Sequence, residues 1–166
     1  MRVEATTMIR ATPEEIWRFV TVPENSPRWQ EGAVWTRVTT PGPIGLGSRM
    51  EHEGRWLRMR IPTTGVVTIF EPPVRYGYDI TTRPFPKPSL MRYAIGPVAG
   101  GSRLSLSSEL PGSAWMKPFE AILQRNIQGM FERDIARLKT VIETEVAGSG
   151  QPRAPSELAA AAHRPR

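Results

Sequence analysis

The sequence predicts an α+β domain: a seven-stranded antiparallel sheet, one long C-terminal helix, and two short helices after the first strand. Three observations carry this prediction. Between Ala33 and Leu110, apolar and polar residues alternate in short runs that Gly- and Pro-rich turns interrupt. Those turns are too short for parallel crossovers, so neighbouring strands must run antiparallel. From Ser113 the apolar period lengthens to three and four residues and holds to about Val146.

Taken in order, Val3 to Ile9 reads as the first strand. Ala11-Thr12-Pro13-Glu14-Glu15 is then a compact helix start. Thr12 can cap, Pro13 suits the first helical position, and two acids sit where the helix dipole favours negative charge. Ile16, Trp17, Phe19 and Val20 make a short apolar helix that Pro23 closes, and Pro23 to Trp29 forms a second short helix or turn. Strands follow over Ala33–Thr40 and Gly47–Gly54, around the breaker-rich turn Pro41 to Gly47. Arg55 to Pro62 is ambiguous and holds a hairpin reversal. Thr64–Glu71 is strand-like, with its inward face open to either reading, and Pro72-Pro73 stops it. Val74–Thr82, Ser89–Ile95 and Ser102–Leu110 complete the sheet, the last two as a hairpin. The C-terminal helix, about 32 residues, would be about 48 Å long and needs a sheet to lie across. Residues 1–146 thus form one domain, and residues 147–166, rich in Ala, Pro and Gly, are expected to be a disordered tail.

Composition narrows the function classes. A chain of 166 residues with 39% hydrophobic and 23% charged content is a globular domain. The absence of cysteine removes disulfides, a thiol nucleophile and Cys-ligated metal centres, and two histidines make a His-rich metal site implausible. No metal and no cofactor are expected. No apolar run reaches the roughly 20 residues of a membrane span, and the N-terminus lacks a signal-peptide core. A cytoplasmic protein without membrane insertion is the expectation. The formal charge is +6, of which the tail's three arginines against one glutamate supply +2. The remainder is spread along the chain with no nucleic-acid-binding motif beside it, so no nucleic-acid partner is expected.

The strand-then-short-helices order, and above all Ile9-Arg-Ala-Thr-Pro-Glu-Glu-Ile-Trp17, resembles the START/Bet v 1-like (SRPBCC) superfamily, in particular its bacterial polyketide cyclase/dehydrase-type members. The Gly45-Leu-Gly47-Ser-Arg strand entry, Val67-Thr-Ile-Phe-Glu-Pro-Pro73 and the pattern of the last helix support the resemblance over residues 1 to about 146. It implies a helix-grip fold, the sheet wrapped around the long helix with a cavity between them. The partner it implies is a small hydrophobic molecule, bound by a monomer or homodimer. The matching motifs are scaffold, however, and bring no universal catalytic signature.

Within that frame, alternation assigns inward faces. Met50 and His52 oppose the charged Arg49, Glu51 and Glu53; Tyr76, Tyr78 and Ile80 oppose Arg75 and Asp79; Met91 and Tyr93 oppose Arg92; Leu106 opposes Arg103 and Glu109. Trp35 and Trp56 are candidate cavity walls. Phe119, Ile122, Asn126 and Met130 lie on the apolar stripe of the last helix, where Asn126 needs either a ligand or a hydrogen bond to the sheet. Gly129, mid-helix, hints at close packing or room for a ligand. His52 and Tyr78 are the candidate catalytic pair. His52 is either a proton donor or acceptor, or a hydrogen-bonded cavity histidine without chemistry. The tyrosines either orient a ligand oxygen and stabilise an enolate or serve as half-buried packing.

The resemblance implies two uses of such a cavity. One is aldol cyclisation and dehydration of a polyketide-like compound, mainly by orientation. The other is non-catalytic carriage or sensing of a lipid, isoprenoid or aromatic compound. A third reading is a co-chaperone-like interaction module. Family aromatase/cyclases often place an arginine in the cavity. Here the arginines fall mostly on outer faces, with Arg58 and Arg60 in the ambiguous stretch as possible exceptions.

Overall fold

The computed structural model describes residues 1–56, 59–82, 87–111, 117–118 and 120–149, with Trp56 by its backbone alone. Strand β1 (Arg2–Ile9) leads into helix α1 (Pro13–Val20) and a 3₁₀ turn (Pro23–Arg28). Strands β2 (Ala33–Val38), β3 (Arg49–Trp56), β4 (Met59–Glu71), β5 (Arg75–Thr81), β6 (Ser89–Val98) and β7 (Gly101–Glu109) follow, then helix α2 (Glu120–Ser149). The seven strands form one antiparallel sheet in the order β1-β7-β6-β5-β4-β3-β2. This is the helix-grip α+β architecture expected.

Local chemistry accounts for the element boundaries. The Thr12 side chain accepts from the Glu15 N–H at 3.3 Å, while the Thr12 N–H donates to the Glu15 carboxylate at 2.8 Å. That reciprocal capping box satisfies two of the donors a helix start leaves bare. The ambiguous stretch resolves into the end of β3 and a β4 that begins at Met59, ahead of the point where the alternation of Thr64–Glu71 becomes legible. Gly100, at φ +81°, makes the tight β6–β7 turn that a side chain would strain. Helix α2 carries the chain through Ser149, past the expected domain boundary at Val146, and the rest of the expected tail lies outside the described residues.

Two packing relations position the interior. On one side of α2, Phe131, Ile135, Leu138 and Ile142 are buried with Val3, Ala5 and Ile9 of β1 and Leu104 and Leu106 of β7. On its flank, α2 runs along the free edge of β1 and supplies the hydrogen bonds that edge lacks. Gln124 donates to the Arg2 carbonyl (3.3 Å), and Gln128 both donates to the Glu4 carbonyl (2.7 Å) and accepts from its N–H (3.2 Å). Farther along, Lys139 donates to the Met8 carbonyl (2.6 Å) and Glu143 accepts from the Arg10 N–H (2.8 Å). The match is geometric: about eight residues of strand at about 3.3 Å span roughly the distance of about nineteen residues of helix at about 1.5 Å. An edge strand so covered cannot recruit another chain.

Candidate functional site

The concave face of the sheet is aromatic. Tyr76 and Tyr78 on β5, and Tyr93 on β6, lie side by side because Tyr76 pairs directly with Tyr93 and Tyr78 with Met91. Their rings stand 5.5 Å (Tyr76–Tyr93), 5.6 Å (Tyr76–Tyr78) and 6.2 Å (Tyr78–Tyr93) apart. Trp17 of α1 closes over them with its ring 6.1 Å from Tyr76 and 5.1 Å from Phe70, and Trp29 stands 6.4 Å from Tyr93. Met50, Met91 and Leu106 fill the remaining space and are buried, like all three tyrosines.

His52 sits at one end of this row, its ring 5.8 Å from Tyr78. Its Nδ1 meets the Thr36 hydroxyl at 3.3 Å. Its Nε2 lies over Gly65, which a side chain would obstruct, since a Cβ there would stand 3.0 Å from that nitrogen and 2.8 Å from Met50 Cγ. Burial lowers the His52 pKa to about 4, so the imidazole is neutral near pH 7. Burial likewise raises the pKa values of Tyr76, Tyr78 and Tyr93, which therefore remain phenols and hydrogen-bond donors. The Tyr78 and Tyr93 hydroxyls pair at 3.3 Å. The Tyr76 hydroxyl and His52 Nε2 are buried without a partner among the described residues. Each such orphan costs about 1–3 kcal/mol, which a ligand oxygen would relieve.

Several expected lining residues lie elsewhere. Trp35 is on the outer face, 38% exposed, with the Arg37 guanidinium 5.6 Å from its ring. A bulge between Ala33 and Trp35 reverses the alternation there, so Thr36 faces inward opposite His52. Ile122 is 65% exposed and Asn126 is exposed as well. Each stands nine residues before a buried residue, Phe131 and Ile135 respectively; nine residues is about two and a half turns and places them on the opposite side of α2. A stripe followed in steps of four drifts about 40° per step around a helix with about 3.6 residues per turn. Asn126 therefore meets solvent and needs no buried partner. Met130 stays half-buried against the core. Phe119 and the Trp56 side chain, like Arg58, lie outside the described residues. Arg60 is exposed and pairs with Glu53 at 2.8 Å.

Two further interior residues escape the sequence reading. Phe70 turns inward because a second bulge, between Val67 and Ile69, shifts the register of β4. Asp134 is 6% exposed on the sheet-facing side of α2, where its carboxylate accepts from the Glu31 N–H at 2.8 Å. Burial, with the nearby Glu31 carboxylate, raises its pKa to about 6. Its place is readable in principle: Asp134 stands three residues after Phe131 and four before Leu138, both buried.

The covering is uneven. Around the tyrosines α1, the 3₁₀ turn and the C-terminal half of α2 close the face. Toward the β3–β4 hairpin the described residues cover it less: Met59, on the same side of β4 as Ile61, Thr63, Gly65 and Val67, is 55% exposed. An aromatic, sparsely polar face of this kind has the composition of small-molecule sites.

A seven-stranded sheet gripping a C-terminal helix over such a face defines a protein of the START/Bet v 1-like superfamily. The chain belongs to the polyketide cyclase / dehydrase and lipid transport family, whose model matches residues 1–143. No curated protein matches it in sequence. Among solved structures it is similar to TTHA0849 from Thermus thermophilus, with a TM-score of 0.72 and 16% identity over 90% of this chain and 100% of that one. Protein CV1439 from Chromobacterium violaceum gives 0.65 and 19% over 86% and 96%, and Ara h 8.0201 gives 0.61 and 12% over 87% and 98%. At such identities these likenesses speak for the fold. Family membership itself supports binding of a hydrophobic small molecule. Among the described residues no helix is long and apolar enough to cross a membrane, and no cluster of acidic or histidine ligands could hold a metal.

Proposed function

We propose that the protein binds one aromatic or polyketide-like molecule against the tyrosine row, entering from the β3–β4 end of the concave face. The observation that carries this reading is the pair of orphaned polar atoms, His52 Nε2 and the Tyr76 hydroxyl, in an otherwise apolar aromatic wall. If the ligand is transformed, His52 serves as a neutral base and Tyr78 as a donor to the developing enolate, for aldol cyclisation and loss of water. With a pKa of about 4, His52 is not a reservoir of acidic protons near neutrality. A second reading, carriage without chemistry, draws on the Tyr78–Tyr93 hydrogen bond, which already satisfies the phenol nearest His52. Either way the partner is a small apolar molecule.

Native mass spectrometry of the protein purified from its own host, followed by extraction and identification of bound compounds, tests the binding. A stoichiometric apolar ligand is expected, released intact from a carrier or converted by an enzyme. In the second case His52→Gln should keep the ligand and stop the conversion; a variant that still turns it over at the full rate removes His52 from the chemistry.

A further inference from the structure

The charge distribution inside the fold narrows the ligand that the proposed site would take. The geometry points to a site selective for uncharged, oxygen-bearing ligands, ketones, esters or phenols, that rejects carboxylates; free fatty acids and aromatic acids are then not its cargo. This inference rests on the pocket reading above and adds a sign of charge to it.

Every described group that reaches the tyrosine row is either neutral or negative. Tyr76, 1% exposed, offers a hydroxyl with no partner among the described residues, and His52 likewise offers an unpartnered Nε2. Depending on which nitrogen faces Thr36, that Nε2 donates or accepts, and a phenol can do both. Between them the two atoms suit a carbonyl or hydroxyl oxygen. What they do not provide is a positive charge. Among the described residues no arginine or lysine is buried. Two half-buried ones are already engaged elsewhere: Arg92 holds Asp79 at 2.8 Å on the outer face, and Lys139 holds the Met8 carbonyl at 2.6 Å beyond the β1 edge. His52 carries no proton to spare near neutrality, and the ionisable group facing the sheet from α2 is a carboxylate, Asp134. A carboxylate brought to the row would surrender its hydration without gaining an opposite charge, while feeling Asp134 as a like one. Burying an ion on those terms is prohibitive, whereas a ketone or ester loses little and satisfies Tyr76.

Matched probes isolate the charge. Methyl 2-naphthoate and 2-naphthoate share a ring system and differ in the ionised oxygen; 2-acetylnaphthalene and naphthalene differ in one acetyl group. Titration followed by tryptophan fluorescence and calorimetry at pH 7.5 should show the ester and the ketone binding at least about thirtyfold more tightly than the naphthoate anion, a ratio equivalent to about 2 kcal/mol. Tyr76→Phe should weaken 2-acetylnaphthalene about tenfold, the size of one buried hydrogen bond, and leave naphthalene unchanged. Loss of both probes in that variant would mean that Tyr76 only shapes the wall, and would overturn its part. Naphthoate binding as tightly as its ester overturns the charge selectivity while sparing the pocket. If none of the four probes binds, the pocket reading fails with it.

Discussion

At the scale of single residues, the site depends on what Gly65 leaves out. His52 and Met50 project from β3 onto the neighbouring strand, and only a residue without a Cβ lets both lie flat there. Gly65→Ala places a carbon 2.8 Å from Met50 Cγ and 3.0 Å from His52 Nε2, so both side chains must shift. Overpacking of this kind costs about 1–3 kcal/mol. The displaced imidazole should also lose burial, and its pKa should climb from about 4 toward the ordinary value of 6.5. Urea denaturation reads the first effect, and an NMR titration of the His52 ring, assigned against His52→Gln, reads the second. An alanine variant with native stability and an unshifted His52 would mean that the glycine is incidental.

At the scale of elements, α2 is asymmetric: from Phe131 onward one side is buried in the core, while its N-terminal third carries exposed Ile122 and Asn126 and holds β1 only by the edge bonds of Gln124 and Gln128. Gly129 falls between these regions. Among the described residues a Cβ there would meet one atom within 4 Å, the far end of the Arg133 side chain at 3.4 Å, so close packing does not require the glycine. Gly129→Ala should therefore stabilise the protein by about 0.5–1 kcal/mol, the difference in helix propensity, as a higher midpoint in urea at unchanged slope. A loss of stability would point to a bend or contact that needs glycine at this place. The helix also shows where reading a sequence succeeds and fails. The order of elements is legible because turn residues and capping groups act locally: Thr12-Pro13-Glu14-Glu15 and Pro72-Pro73 mark their boundaries wherever they occur. Tyr76, Tyr78, Tyr93, Met50, Met91 and Leu106 are legible because regular alternation fixes their side of a strand. Trp35 and Phe70 are not, since a bulge inserts one residue and reverses every face beyond it, and no local signal announces it. Ile122 and Asn126 fail for the helical counterpart of that reason, an accumulated drift of four-residue steps. Asp134 is within reach of the same arithmetic, but a charge on an apolar stripe is easily assigned to the wet side.

At the scale of the whole molecule, the two titrating groups of the interior oppose one another, and that opposition sets the pH profile of stability. The His52 pKa is depressed from 6.5 to about 4, so below pH 6.5 the unfolded chain takes up a proton that the folded chain refuses, and stability is lost as pH falls toward 4. At about 1.4 kcal/mol per pKa unit the loss amounts to about 3 kcal/mol. Asp134 runs the other way. Its pKa is raised from 3.8 to about 6, so above pH 6 the fold carries a buried carboxylate at a cost that vanishes as pH falls through this window. That gain is again about 3 kcal/mol. Glu15 and Glu143, whose pKa values are lowered mainly by backbone hydrogen bonds, contribute stability that begins to fade only near their ordinary value of 4.5, at the acid end of this range, and do so alike in every interior variant. The wild-type protein should therefore hold a nearly level stability between pH 6.5 and 4, a balance of two slopes rather than an absence of titration. Single substitutions expose each slope. Asp134→Asn, which retains an oxygen for the Glu31 N–H, should be more stable than wild type at about pH 7.5 and lose that advantage between about pH 6 and 4, leaving the descent due to His52. His52→Gln should instead gain stability on acidification across the same interval. Chemical denaturation of the three proteins from about pH 7.5 to 4 decides it: profiles that diverge in opposite directions establish two mutually compensating buried groups in the interior, and three parallel profiles would place both groups in contact with solvent.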